Sequence, residues 1–370
     1  MGDEMIIEKR INIIITVVMV VSSFAIAAYI ISYHFLNNSE QDTPEIIASQ
    51  YEALPDYPIN RGSTQIGSVP TMLKVYENRI TNDVNSNILL KGLMPPDLMV
   101  LNDQNRLNKA FFERMKSAGA NVIRFPVHPD LWIKNADYLE DYIVPAVSWA
   151  NELNMYAIID LHYIGNILTG SGNEMPKIGI HPKELSEDFW AKVASRFKDS
   201  PNVIFEICNE PASINAEQWF NCARNLVELI RKQGAGQMVI VGGIQYSQNL
   251  SWVKEKPIPD NNVAYASHIY PAHNSSNWEG WFGDISAYKP VIVTEWGFID
   301  ENRNETKQQY LVGNKESYGI PFLNYLDEKN IGWVACWFDD TWEPEMFKDE
   351  ESGYTNYGQF VIEKLEKSAR

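Results

Sequence analysis

Short apolar runs that end in polar or aromatic residues recur along the chain from about residue 71 onward. There are eight of them, at residues 88–95, 120–127, 156–163, 202–211, 237–243, 263–270, 290–298 and 331–338. Their hydrophobicity is continuous rather than alternating, which is typical of strands buried on both faces of a parallel sheet. Amphipathic stretches separate them, as at residues 105–119, 187–198 and 216–234. Strands that alternate with helices in this way predict an α/β fold, a (β/α)8 TIM barrel.

A doubly wound open sheet is the structural alternative to the barrel. It is less favoured because no glycine-rich phosphate-binding motif follows the first strand. Before that strand, residues 73–80 and the polar segment 82–86 predict a small hairpin that closes the barrel floor.

The N-terminal part of the chain predicts a transmembrane helix at residues 11–36. This stretch has no Asp, Glu, Lys or Arg, and it exceeds the roughly 20 residues that cross a bilayer as a helix. Lys9 and Arg10 precede it, so the positive-inside tendency places residues 1–10 in the cytoplasm and the rest of the chain outside. We therefore expect a single-pass membrane anchor with an extracytoplasmic domain.

A cleaved signal peptide is the alternative for this segment. Ala25, Ala27 and Ala28 supply small residues for a cleavage site, but apolar residues continue beyond them, which favours an uncleaved anchor. Residues 37–60 are polar and acidic with scattered prolines, as linkers are. The predicted barrel domain is then residues 61–370.

Composition excludes some classes of function. The formal net charge of -17 argues against a nucleic-acid partner, because phosphate binding relies on clustered Lys and Arg. An aromatic content of 12% permits carbohydrate binding, since rigid aromatic faces pack against sugar rings. A metal-dependent hydrolase is poorly supported, because the six histidines show no HxH or HExxH spacing.

Reactive and aromatic side chains stand where most of the predicted strands end. Individually, each has a structural explanation: an arginine pairs with an acid, a histidine is buried, a tryptophan packs. In a TIM barrel, however, the carboxyl ends of all strands meet at one face, where the chemistry takes place. The fifth run, residues 237–243, has no obvious candidate. The candidates are Arg124, His162, Asn209, Glu210, His268, Tyr270, Glu295, Trp296 and Trp337.

Two carboxylates at the mouth of a barrel indicate cleavage of a glycosidic bond. One carboxyl group must stay protonated and the other ionised, which different surroundings can achieve. Arg124 near the second carboxylate would keep it ionised, and Tyr270 would hydrogen-bond to the same group. Asn209 offers an amide for a sugar 2-hydroxyl, and Trp337 offers a platform for the sugar ring.

The chain resembles family 5 of the glycoside hydrolases, the cellulase family of barrels with catalytic glutamates on strands four and seven. The resemblance covers about residues 71–364. It rests on NVIFEICNEP at 202–211 and TEWG at 294–297, with RFPV, DLHY, SHIYPAH and the tryptophan of the eighth strand in matching order. It implies a retaining double displacement, with Glu210 as acid/base and Glu295 as nucleophile. The other strand-end residues would complete the active site, and no metal or organic cofactor is expected.

TEWG together with HIYPAH looks more like the endoglucanase branches than the mannanase branches, which implies a β-1,4-glucan substrate. Four loop residues, His273, Trp278, Trp281 and Trp342, are candidates to contact neighbouring sugars, with surface packing as the alternative. Residues 337–347 depart from the endoglucanase pattern.

Other substrates and one other class of function stay open. A mannanase, a xyloglucanase and a β-1,3-glucan-active enzyme are alternatives within the same chemistry. A catalytically silent carbohydrate-binding or adhesion protein is the alternative from a different class, and the presence of both glutamates with all their partners argues against it. We expect a monomeric catalytic domain.

Overall fold

The computed structural model describes residues 70–300, 308–349 and 353–369. The predicted anchor, its N-terminal tail and the linker lie outside these residues and stay predictions. Within the described ranges, no helix is both long and apolar enough to cross a bilayer.

Eight parallel strands close into a barrel. In chain order, each pairs with its neighbour, and the eighth pairs with the first, with Trp333 opposite Lys91. This closure confirms the predicted TIM barrel and excludes the open sheet. The first to eighth barrel strands are Lys91–Met94, Val122–Val127, Tyr156–Leu161, Val203–Glu206, Val239–Gly242, Val263–Ile269, Val291–Trp296 and Gly332–Cys336.

The strands carry continuous apolar runs because both of their faces are covered. Side chains alternate across a strand, so Ile158 packs in the cluster inside the barrel while Ile159 packs in the larger cluster between strands and helices. Because both environments are apolar, most of each run is apolar, and charged exceptions such as Arg124 and Glu206 pair with each other in the barrel.

Helices surround the barrel, and the amphipathic stretches account for the longest ones. The helix Ala216–Lys232 begins at a capping box, in which Asn215 and Gln218 satisfy each other's backbone N–H groups. It buries Trp219 and Leu226 on one face. The other helices are Leu98–Asp103, Lys109–Ser117, Pro129–Lys134, Val144–Glu152, Pro182–Phe197, Ile320–Glu328 and Asn356–Ala369.

Shorter elements lie in the connections. Single helical turns occur at Leu139–Ile143, Ile244–Ser247, Ser251–Lys254, Ser275–Asn277, Glu279–Gly283, Asp284–Ala287, Gln309–Leu311 and Lys315–Gly319. Three small strand pairs join Ile164–Gly165 with Glu210–Pro211, Ile299–Asp300 with Val312–Gly313, and Phe347–Asp349 with Gly353–Tyr354. The first of these pairs lies beside the fourth barrel strand and contributes to the site described below.

The predicted floor hairpin is present. Strands Lys74–Tyr76 and Arg79–Thr81 pair antiparallel. Asn262, just before the sixth barrel strand, accepts a 2.8 Å bond from the Val75 amide and donates a 3.0 Å bond to the Leu73 carbonyl. Because the hairpin is bound at the amino end of a strand, it does not cover the carboxyl end of the barrel.

Candidate active site

Eight of the predicted residues lie together at the carboxyl ends of the barrel strands. Direct hydrogen bonds and ring contacts among barrel residues connect all of them. The connections run across the barrel as well as around it, since Arg124 of the second strand touches Glu295 of the seventh. These eight are Arg124, His162, Asn209, Glu210, His268, Tyr270, Glu295 and Trp337.

Glu295 is held through both oxygens of its carboxylate. Tyr270 Oη donates a 2.5 Å bond to Oε1, and Arg124 Nη1 donates a 3.0 Å bond to Oε2. Burial alone would raise the pKa of Glu295, but the charges of His268 and Arg124 outweigh burial and hold the pKa below its ordinary value. The carboxylate is therefore ionised and fixed in orientation at neutral pH.

Glu210 has the opposite electrostatic environment. It begins the short strand Glu210–Pro211 that follows the fourth barrel strand. Its backbone N–H donates a 3.0 Å bond to the Tyr163 carbonyl. His268 Nδ1 lies 2.9 Å from Oε1. Burial, assisted by the negative charge of Glu295, raises the pKa of Glu210 above its ordinary value in spite of that histidine. Glu210 is thus suited to carry a proton.

The two carboxyl groups are close enough to act on one bond. One oxygen of each, with a ring nitrogen of His268, lies within 4.8 Å of the others. Retaining glycosidases hold their carboxyl groups about 5–5.5 Å apart, and inverting ones leave about 6.5–9.5 Å for a water molecule. The spacing here corresponds to the shorter arrangement.

A buried ion network supports this pair from below. Arg124 Nε donates a 2.7 Å bond to Glu206 Oε2, and Thr294 Oγ1 donates a 2.7 Å bond to Glu206 Oε1. His268 Nε2 lies 3.1 Å from Thr294 Oγ1. Burial alone would lower the pKa of His268, but Glu295, Glu206 and Glu210 raise it to about 9. His268 is therefore a cation at neutral pH, placed between the two catalytic candidates.

Four rings form one connected wall beside these carboxylates. His128 stacks on His162 with centroids 4.8 Å apart, and His162 meets the edge of Trp337 at 5.9 Å. Trp342 closes the circuit, 4.9 Å from Trp337 and 5.3 Å from His128. Burial lowers the pKa of both histidines to about 3, so the wall is uncharged. Uncharged aromatic faces of this kind pack well against sugar rings.

Among the described residues, Glu210, His268 and Glu295 form the one group of acids and histidines with a geometry that could hold a metal ion. The group does not suit a cation. Both nitrogens of His268 and both oxygens of Glu295 already have partners, and the Arg124 guanidinium adds a fixed positive charge beside them.

Comparison with known families decides the identity of this arrangement. The model of the family Cellulase (glycosyl hydrolase family 5) matches residues 86–340. The matched span includes all eight barrel strands and both glutamates. The chain belongs to glycosyl hydrolase family 5.

Proteins with sequences similar to this chain are named endoglucanases. An endoglucanase of Clostridium saccharobutylicum is 27% identical over 289 residues, which are 75% of this chain and 58% of that protein. An endoglucanase of Pectobacterium carotovorum is 26% identical and covers 80% of this chain and 58% of its own length. The chain thus spans a little over half the length of these two relatives.

Solved structures agree with the family 5 fold. A beta-glucanase from Saccharophagus degradans superposes with a TM-score of 0.77 at 26% identity, over 84% of this chain and 98% of that one. The same glucanase has been solved in complex with cellotetraose. The catalytic domain of a Thermobifida fusca endoglucanase shares the fold, with a TM-score of 0.68 at 19% identity.

Trp296 of this family 5 chain does not lie in the site, contrary to the expectation from its neighbour Glu295. Its side chain is fully buried and packs against Trp333, Phe322 and Tyr357 in the outer core. The reason is strand alternation: Glu295 points to the barrel interior, so the next side chain points outward to the helices.

The predicted loop residues differ in their surroundings. His273 lies beside Tyr270, and its Nδ1 accepts a 3.0 Å bond from the Tyr270 amide. Trp281 is half-buried and meets the edge of His273 at 6.0 Å. Trp278 is buried among Tyr318, Phe322 and Tyr325, so packing is the explanation that fits it.

Several residues of the family 5 site were missed in the sequence. Glu206 stands inside an apolar strand, where a lone acid is a signal that a buried partner is required. Tyr246 and Tyr310, exposed by 38% and 45%, lie on loops near the carboxylates. Tyr246 Oη donates a 2.8 Å bond to Glu174, and Tyr310 meets the edge of Tyr270 at 5.3 Å. Loop position gives no periodic signal that would have identified them.

Proposed function

We propose that this chain is a retaining endo-β-1,4-glucanase. The observation that carries the proposal is the pair Glu210 and Glu295, which approach to within 4.8 Å while their surroundings shift their pKa values in opposite directions. A proton donor and an ionised nucleophile at this spacing are what a double displacement requires.

In the first step, Glu295 attacks the anomeric carbon while Glu210 gives its proton to the glycosidic oxygen. The carbon–oxygen bond of the glycoside breaks, an ester bond to Glu295 forms, and the leaving chain departs with a new hydroxyl group. Arg124 and Tyr270, which hold the two oxygens of Glu295, keep the nucleophile ionised and aligned.

In the second step, Glu210 acts as a base. Its carboxylate takes a proton from water, the water oxygen attacks the anomeric carbon, and the ester bond to Glu295 breaks. Glu210 regains its proton and Glu295 its charge, so one water molecule is consumed for each bond cut. His268 contacts Glu210, and its positive charge stabilises the carboxylate form that this step needs.

A β-glucan substrate is supported by the rings and by the relatives. The wall of His128, His162, Trp337 and Trp342 presents uncharged aromatic surface, which suits the apolar faces of glucosyl units. The relatives reported above are described as endoglucanases, and one structural neighbour binds cellotetraose.

The test is hydrolysis of a polysaccharide panel by the full chain in detergent. Carboxymethyl cellulose, glucomannan, xyloglucan, barley glucan and β-1,3-glucan would be compared, with Glu210→Gln and Glu295→Gln as isosteric controls. We expect cleavage of a β-1,4-glucan and its loss in both variants. Cleavage of a different polysaccharide would reassign the substrate. Binding without cleavage would favour a carbohydrate-binding protein instead.

We also propose that residues 11–36 anchor the enzyme in the membrane with the catalytic domain outside. The support is the length of this uncharged apolar stretch and the basic residues Lys9 and Arg10 before it. Fractionation followed by protease treatment of intact cells tests this. Protein that stays in the membrane fraction and is digested from outside agrees with the proposal, and a shortened soluble form in the medium would indicate cleavage.

A further inference from the structure

The connection after the fifth barrel strand contains three consecutive residues with left-handed backbone. Gln245, Tyr246 and Ser247 have φ angles of 58°, 60° and 55°, and we call them the left-handed turn. None is glycine, and this conformation costs an L-residue about 1–2 kcal/mol. Such strain persists only where surrounding contacts hold it, and it concentrates at functional sites.

Contacts at both ends hold the left-handed turn in place. Before it, the Gly243 amide bonds to the Ala266 carbonyl at 3.1 Å, and Ile244 and Asn249 exchange two backbone bonds across it at 3.0 and 3.1 Å. After it, Ser267 Oγ of the sixth strand donates a 3.1 Å bond to the Gln248 carbonyl. The turn is thus attached to the barrel rather than suspended above it.

Within the turn, Ser247 is the residue that enters the core. It is fully buried, and its Oγ donates a 2.6 Å bond to the Asn209 carbonyl. A side chain at Gly242 would collide with this hydroxyl, because an added Cβ would lie 2.4 Å from Ser247 Oγ. The short side chain of Ser247 therefore reaches the Asn209 carbonyl, because the left-handed turn and the absence of a side chain at Gly242 let the two backbone segments lie close together.

Asn209 is the residue immediately before Glu210. Its amide donates to the Leu161 carbonyl at 3.0 Å, and its side-chain oxygen accepts from Arg124 at 2.8 Å. The Glu210 carboxyl group, by contrast, has His268 as its hydrogen-bonding partner in the part of the chain that the structure describes. Its direction consequently depends on the peptide that precedes it, which Ser247 holds at the carbonyl and Tyr163 holds at the N–H.

We propose that Ser247 is a positioning residue for Glu210. Through the left-handed turn its hydroxyl fixes the Asn209–Glu210 peptide, so that the carboxyl group meets the glycosidic oxygen as bond cleavage begins. This inference rests on the proposed function, in which Glu210 is the acid/base. It assigns a role to a strand connection in which the sequence offered no candidate.

Substrates with different leaving groups separate positioning of an acid from general damage. Cellotetraose needs protonation of its leaving oxygen, whereas 2,4-dinitrophenyl β-cellobioside releases a phenolate that needs none. The comparison uses kcat/KM, which reports the steps up to bond cleavage and excludes the later base-dependent step. Glu210→Gln gives the reference pattern for complete loss of the acid.

The variants are Ser247→Ala and Ser247→Gly, both without the hydroxyl. Ser286→Ala is the matched control, since Ser286 Oγ donates a comparable 2.8 Å bond to the Gly283 carbonyl, and the Ser286 carbonyl accepts a bond from Asn78 of the floor hairpin, at the far end of the barrel. For both Ser247 variants we expect kcat/KM on cellotetraose to fall roughly 10- to 100-fold. On the dinitrophenyl substrate we expect a change of less than about threefold, because acid catalysis is not required there.

Three outcomes would overturn the inference. Equal losses on both substrates would mean that Ser247 acts only through stability, which thermal unfolding of the variants and of Ser286→Ala would reveal. Full activity of both variants on cellotetraose would mean that the hydroxyl is dispensable. Normal activity of Ser247→Gly alone would mean that backbone conformation matters and the hydrogen bond does not. If the unmodified protein cleaves neither substrate, the proposed function fails instead.

Discussion

Glu210 and Glu295 approach to within 4.8 Å of each other, yet their surroundings raise the pKa of the first and lower the pKa of the second. The difference comes from position. Arg124 and Tyr270 bond to Glu295 and do not bond to Glu210, while burial dominates the pKa of Glu210. Two identical side chains thus acquire pKa values shifted in opposite directions, as the proposed acid and nucleophile require.

This relationship predicts a bell-shaped dependence of kcat/KM on pH. Activity needs Glu295 ionised, so it is lost as the pH falls through a pKa held below the ordinary value of 4.5. It also needs Glu210 protonated, so it is lost as the pH rises through a pKa raised above 4.5. A profile measured on a soluble glucan checks both limbs. An acid limb with its midpoint above pH 4.5 would contradict the assignment of Glu295.

Replacing His268 by asparagine should move both limbs to higher pH. The positive charge of His268 lowers the pKa of Glu210 and of Glu295, so its removal lets both rise. The shift is measured in the same profile, with His181→Asn as the control because His181 is exposed at the N-cap of the outer helix Pro182–Phe197. If kcat/KM falls equally at every pH and both limbs of the profile keep their midpoints, His268 has only a structural role.

Replacing Arg124 by methionine should cost about 3–5 kcal/mol of unfolding free energy at neutral pH, because removal of one partner leaves buried charges unpaired. The acids that lose this partner are Asp160, Glu206 and Glu295. Arg196→Met, which breaks a surface pair with Glu140, should cost less than about 1 kcal/mol. Denaturant unfolding of both variants measures the difference.

The cost of Arg124→Met should shrink as the pH is lowered. In the natural protein burial alone would raise the pKa of Glu206, but Arg124 and His268 together outweigh burial and lower it from 4.5 to about 2. That stabilisation is present above pH 4.5 and is lost as the pH falls through about 2. In the variant Glu206 protonates at a higher pH, which relieves the unpaired charge. A cost that stays constant between pH 4.5 and about 2 would contradict the assignment.

Trp296 and Trp342 should respond differently to truncation. Trp296→Ala should lower the unfolding free energy by about 3–5 kcal/mol, as expected for a large buried side chain, because Trp296 is fully buried. Trp342→Ala should raise KM for cellotetraose with a smaller effect on stability, since Trp342 is half-buried at the ring wall. Unchanged KM in Trp342→Ala would remove it from the proposed binding surface.

The fold was largely predictable because of how a barrel buries its strands. Every strand, for example Val291–Trp296, is covered on both faces, so the run of apolar residues and its polar end are visible in the sequence. The same feature hid the direction of Trp296. Where both faces are apolar, no alternation reveals which side chain points inward.

The central part of the site was predictable and its periphery was not. Glu210, Glu295 and their partners end strands, and the topology alone brings strand ends together. Tyr246, Tyr310 and Ser247 lie in connections whose path depends on tertiary contacts, such as the bond from Ser247 to Asn209. His128 follows a strand directly, but its stacking on His162 arises from the position of the next strand.

The most direct test of the account is to trap the ester on Glu295. Full-length protein would be incubated with 2,4-dinitrophenyl 2-deoxy-2-fluoro-β-cellobioside, whose fluorine slows release of the sugar, and then digested for peptide mass spectrometry. The account predicts one fluorocellobiosyl group per chain, on Glu295, and none in Glu295→Gln. A label on another residue, or no label from an enzyme that still cleaves β-glucan, would contradict it.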